Sequence, residues 1–126
     1  MEYLFWYTSM NKKEPTLDAC FYRTEAGNEP TCDWLTSLPR EQKRLIGTHL
    51  KTVQIGWPIG MPLVRKLDKG LWETRIILDD TIARVLFTVT GSTMVLLHGF
   101  IKKSQKTPAF ELETARQRKA ALEKYT

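Results

Sequence analysis

Arg75 and Arg84 are the two residues whose placement points most directly to chemistry. Each lies in the middle of a short run of strand composition, and a turn at Asp79-Asp80 joins the two runs. Pairing across that turn sets Arg75 opposite Arg84. Like charges facing each other on adjacent strands are destabilising. Either one stem covers apolar surface with its head in water, or the two guanidinium groups converge on an anion. Glu73 shares the face of Arg75, where it either neutralises an arginine or accepts a proton near a phosphate. His98 ends the third strand of the series, as a hydrogen-bonded core residue or as a general acid. His49, alone on a helix, reads as structural. Lys102, Lys103 and Lys106 follow the third strand within five residues and extend the same cation cluster.

Other chemistries lack their residues. The sequence has no Gly-rich phosphate loop, no His/Asp/Glu metal cluster and no Ser nucleophile elbow. A cation-rich site without metal or cofactor suits attack by the 2′-hydroxyl of RNA on its own adjacent phosphate. Arg75, Arg84, Lys102 and Lys103 would stabilise the extra charge on the phosphorane and the leaving oxygen. Lys66, Gln105 and Lys106 are expected to hold the RNA.

The elements that position these residues follow from periodicity. Residues 20–23 form a short strand, and Glu25 to Pro30 a loop. Thr31 or Asp33 caps a short helix carrying Trp34, Leu35 and Leu38. Pro39 opens a second helix on which Leu45, Ile46, His49, Leu50 and Val53 recur at helical spacing up to Gly56. Trp57 to Pro62 is a proline-broken loop. Strands over 63–67, 71–78, 81–89 and 94–100 then alternate with tight turns, an antiparallel meander. Thr107 caps a last helix with Pro108 at its first position, its inward side chains being Phe110, Ala115 and Leu122. The order describes a small α+β domain.

The 126 residues allow one domain, and a hydrophobic share of 42% is ordinary for a globular chain. The formal net charge of +5 is uneven: residues 1–33 carry a net −3 and residues 34–126 a net +8. A basic body behind an acidic lead suits a polyanionic partner. Cys20 and Cys32 read as two reduced thiols, with neither a disulfide framework nor a zinc-site spacing. The aromatic start, Tyr3 to Tyr7, lacks the basic flank and cleavage site of a signal peptide, and no apolar run has membrane length. Residues 1–18 are expected to be an N-terminal extension, as a tail or as an added edge strand, with residues 19–126 the domain proper.

Several blocks resemble one family. They are Phe21 to Pro30, Trp34-Leu35, Ile55 to Val64, Gly70 to Arg75, Ala83 to Phe87 and Leu96 to Pro108. Over roughly residues 20–118 they look like the phage-derived Gp49-like, or HigB-like, toxins of the RelE/ParE superfamily. The resemblance implies a RelE-like fold: a twisted antiparallel sheet with two N-terminal helices on one face and a C-terminal helix. It implies a cytoplasmic, ribosome-dependent endoribonuclease that cuts mRNA, and a HigA-like helix-turn-helix antitoxin. Operator DNA would be met only through that antitoxin. Arg75 and Arg84 match the family's two strand cations; Lys102, Lys103 and Lys106 match its basic loop. The family's tyrosine-type acid has no counterpart, Tyr125 being too far along, and His98 is the nearest match to the His that HigB-type members use. A ParE-like gyrase poison and a non-enzymatic nucleic-acid-binding module are the alternatives. The sheet cations argue against the first.

Overall fold

The alternating run after Leu63 forms four strands of one sheet, and tight turns set their order. The structure, a computed structural model, describes residues 16–103 and 106–124. Its elements are β1 (Asp18–Phe21), α1 (Pro30–Thr36), α2 (Arg40–Gly56), β2 (Val64–Asp68), β3 (Leu71–Ile77), β4 (Ile82–Thr90), β5 (Thr93–Lys102) and α3 (Ala109–Lys124). Gly70 and Gly91 take positive φ in the β2–β3 and β4–β5 turns, as tight hairpins require.

The sheet order is β1-β5-β4-β3-β2. Strands β2 to β5 are antiparallel, as the meander predicts. The expectation of a wholly antiparallel sheet is corrected by β1, which runs parallel to β5. A hairpin forces antiparallel pairing, whereas β1 meets β5 only after the whole intervening chain, so no turn fixes its direction. The two helices also follow β1 rather than opening the fold. Of the predicted N-terminal extension, residues 16–18 belong to the domain: Leu17 is 2% exposed and Asp18 begins β1. The proposed edge strand Tyr3 to Tyr7 lies outside the described residues.

Each face of the sheet has its own core. On one, Ile46, Leu50 and Val53 of α2 pack with Val64, Ile76, Ala83, Val85, Phe87, Met94 and Leu96. The spacing of those α2 residues is the apolar stripe of a surface helix. Trp34 of α1 joins them and packs against Gly99 of β5, where an added Cβ would come 2.2 Å from the indole. On the other face, Ala115 of α3 packs with Leu71, Leu86, Val95, Leu97 and Phe100, and Leu122 packs against them. Phe110, expected inward, is instead 62% exposed.

Helix starts differ from expectation by one to four residues. α1 begins at Pro30 after Glu29, with no side-chain cap, so Thr31 and Asp33 lie inside it. Pro39 precedes α2 rather than opening it. Proline suits both places because its φ is already helical and it has no amide to satisfy.

Two β-bulges change which face side chains take. In β5, Leu96 pairs with Phe87 but His98 with Leu86, leaving Leu97 as the extra residue. Simple alternation would put His98 and Phe100 with Leu96, toward α2. The bulge turns them to the α3 face, where Phe100 is core and His98 meets Glu111. In β2, a shift between Lys66 and Asp68 has the same effect.

Between α2 and β3, His49 Nε2 lies 2.8 Å from Thr74 Oγ1, and that hydroxyl donates to the Leu63 carbonyl at 2.7 Å. The imidazole N–H is therefore the donor to Thr74, so His49 is structural with a partner. Burial holds its pKa below the ordinary value. The folded state thus resists a proton that the unfolded chain accepts, and stability is lost as pH falls below about 6.5. In urea melts at pH 7 and pH 5, His49→Gln should reduce this loss. Separately, Gly99→Ala should destabilise by about 1–3 kcal/mol, because the indole of Trp34 must move. A Trp34→Leu change in that background should recover part of the loss in the same urea assay.

Candidate functional site

The expected pairing of Arg75 with Arg84 is the observed register of β3 and β4. Both point to the α3 face, beyond the end of that helix's core. Arg84 is fully buried and its guanidinium lies 5.9 Å from the Phe100 ring centre, a cation–π distance. Burial first, and the charge of Arg75 second, lower the Arg84 pKa, while Glu73 opposes them. An arginine still keeps its charge under such conditions. The Arg75 side chain is 25% exposed.

Glu73 has no exposed side-chain surface. Its Oε1 accepts a hydrogen bond from Arg75 Nε at 2.7 Å, and its Oε2 accepts one from Thr107 Oγ1. Both oxygens are committed, so the carboxylate serves as countercharge and anchor. This corrects Thr107: its hydroxyl is turned to Glu73 instead of capping α3. The Pro108 carbonyl accepts the amides of Glu111 and Leu112 instead. Arg75 Nη2 is buried with no acceptor among the described residues.

His98 is enclosed between two residues of α3. Its Nε2 lies 2.7 Å from Glu111 Oε1, and its Nδ1 lies 3.2 Å from Arg118 Nη1. A guanidinium has only donors, so Nδ1 accepts and the ring proton sits on Nε2, given to Glu111. Arg118 also donates to the Leu97 carbonyl at 2.8 Å, at the bulge. Neither ring nitrogen faces outward, so the geometry favours His98 as a residue that seats α3.

The basic loop is spread out. Lys102 Nζ stands 4.9 Å above the Phe110 ring centre. Lys103 leans to Asp80 at 3.7 Å, both groups being exposed. Lys106 is exposed, and Gln105 lies outside the described residues. Lys66 is on the wrong face for this site: it pairs with Trp72, which packs with the α2 core. A hairpin with the two-residue turn Lys69-Gly70 would bring Lys66 opposite Glu73. The bulge sets Arg65 there instead.

Arg65, exposed, lines a small pocket with Met61, Pro62, Leu63, Glu73 and Arg75. The structure therefore gathers Arg65, Glu73, Arg75, Arg84 and Thr107, with Lys102 at one side. Sequence reasoning missed Arg65, Glu111 and Arg118, and gave Thr107 only the role of a cap. The signal for Thr107 was its place just after the basic loop. Nothing local marked Arg65, whose face is set by a bulge, or Glu111 and Arg118, whose spacing is that of any helix. Among the described residues, no group of three or more His, Cys, Asp or Glu can hold a metal, and no helix is long and apolar enough to cross a membrane.

What this face can do chemically is hold an anion. Guanidinium groups form planar, two-point contacts with phosphate oxygens, and the buried Glu73 carboxylate holds that of Arg75. The family model described as "Phage derived protein Gp49-like (DUF891)" matches residues 33–120, which include every residue of this cluster. No protein of curated function matches the chain.

Replacing Glu73 by Gln keeps its shape and removes the countercharge. Urea denaturation should show a loss of about 3 kcal/mol or more, as for breaking a buried ion pair. Millimolar phosphate should restore more stability to the variant than to wild type, by binding between the two arginines.

Proposed function

Because the chain belongs to the Gp49-like phage-derived protein family, a RelE/HigB-like toxin family, we propose that it cuts mRNA as a ribosome-dependent endoribonuclease. The family is one of toxin-like modules of the toxin–antitoxin kind, associated with RNase toxins, and it implies an antitoxin partner. The observation that carries the finer reading is the Arg75–Arg84 pair, converging on one face with one member buried.

In this reading the 2′-oxygen of one nucleotide attacks the adjacent phosphorus. The bond to the 5′-oxygen breaks, leaving a 2′,3′-cyclic phosphate and a 5′-hydroxyl. One proton leaves the 2′-oxygen and one joins the 5′-oxygen. Charge builds on the phosphate oxygens in between, where Arg75 and Arg84 stabilise it more than they stabilise the ground state. Arg65 and Lys102 flank that point and hold neighbouring backbone. Lys103 and Lys106 add longer-range attraction, which falls with salt. Glu73 and Thr107 aim Arg75, and His98 fixes α3. The RelE-like arrangement, the HigA-like helix-turn-helix antitoxin with its operator DNA, and a cytoplasmic setting complete the proposal.

Purified ribosomes programmed with mRNA provide the test. Wild type should cleave the message, and Arg75→Ala should cut the rate about 100-fold or more. Arg84→Lys should also be slow, since an ammonium lacks the two-point fork. Melting curves separate lost chemistry from lost folding, chiefly for the buried Arg84. Intact mRNA with wild type, together with blocked DNA supercoiling, would overturn the proposal in favour of a gyrase poison.

A further inference from the structure

Phe110 has no role in the cleavage chemistry, and its position is unusual. It sits in the first turn of α3, a helix that otherwise turns apolar residues to the sheet. At 62% exposure it gives up most of what burial would contribute to folding. Among the described residues, the other exposed large apolar side chains, Ile55, Met61 and Ile77, are not aromatic. Of these four, Phe110 offers the broad planar face.

Its neighbours are the cations of the site. Lys102 Nζ lies 4.9 Å from the ring centre. Lys102 follows Phe100 by two residues on the same strand, and Phe100 is paired with Arg84, which is paired with Arg75. A row thus crosses the sheet from Arg75 through Arg84 to Phe100, and Lys102, with Phe110 over it, follows two residues further along β5. Strands are spaced about 5 Å apart. Phe110 therefore stands on the β5 side of the arginine pair, next to Lys102.

A cation next to an exposed aromatic face is how proteins grip single-stranded nucleic acid: the cation takes a phosphate and the ring takes a base. The geometry points to Phe110 and Lys102 as a nucleotide subsite, in which a base next to the cleaved bond stacks on Phe110. This rests on the RNA reading above and adds to it a contact with a base. Stacking accepts any base, so the subsite would position the strand without selecting a sequence.

The probe is a short single-stranded RNA with every 2′-hydroxyl methylated, so that it binds without being cut. A second probe carries abasic sugars in the same backbone. Each is added alone and, in a second series, as message on purified ribosomes. Phe110→Ala should weaken binding of the base-bearing probe about ten-fold, and Phe110→Trp should restore it. The abasic probe should bind wild type and Phe110→Ala alike. Since Phe110 is exposed, both variants should melt as wild type does.

If Phe110→Ala binds both probes as wild type does, or weakens both equally, the stacking role is overturned while the RNA reading stands. Loss of antitoxin binding with unchanged probe binding also overturns it, and assigns Phe110 to a protein interface. If wild type binds neither probe in either series, the RNA reading fails, and the subsite with it.

Discussion

The carboxylate of Glu73 is the contact on which the cation face depends. Two arginines face each other across β3 and β4, one of them fully buried. In water such a pair would repel weakly; away from water the repulsion grows as the dielectric falls. Glu73 supplies the opposing charge with no exposed surface of its own. Burying ions is costly even when they are paired. A fold that keeps three of them together under half a sheet gives up stability to hold guanidinium groups in one orientation. The same carboxylate ties in Thr107, so the segment leading into α3 is fastened to the centre of the sheet.

The two faces divide the work. Under α1 and α2 lies an ordinary apolar core, closed by Trp34 on Gly99 and by edge-on contacts of Trp57 with Trp72 and Phe87. That side resembles any small α/β packing and gives rigidity. On the other side α3 covers only part of the sheet. Its docking is polar as well as apolar: Glu111 and Arg118 hold His98, and Arg116 reaches Asp68 of β2. Beyond α3, Arg65 is exposed and Arg75 partly so, while Arg84 beside them is fully buried. A histidine in this position is easily taken for a catalytic acid, yet both its nitrogens are used to seat a helix. The chain belongs to a family associated with RNase toxins, and what its sheet gathers on this face is arginine.

Much of this was legible in the chain. Alternation and turn residues gave four of the five strands, and a one-turn hairpin between β3 and β4 was enough to set Arg75 against Arg84. Helical spacing identified α2 and its buried stripe. These are local properties: a tight turn fixes register, and period fixes face. Two helix starts were off by one residue, because proline fits on either side of a helix boundary, and α1 begins two to four residues early, at Pro30. The direction of β1 was not local at all, since its partner is β5.

The sequence by itself determined the α+β order, the register of the central hairpin and the excess of cations around it. Tertiary structure decided which cations share a face. A β-bulge adds one residue to one strand, and one residue reverses every side chain beyond it. The bulge in β2 exchanged Lys66 for Arg65, and the bulge in β5 turned His98 and Phe100 toward α3. Whether a strand bulges depends on packing against distant elements, here the leucines Leu67 and Leu97 against the α3 core. Phe110 shows the same limit: helical period suggests an inward side chain, but only the docked helix shows that it stays exposed.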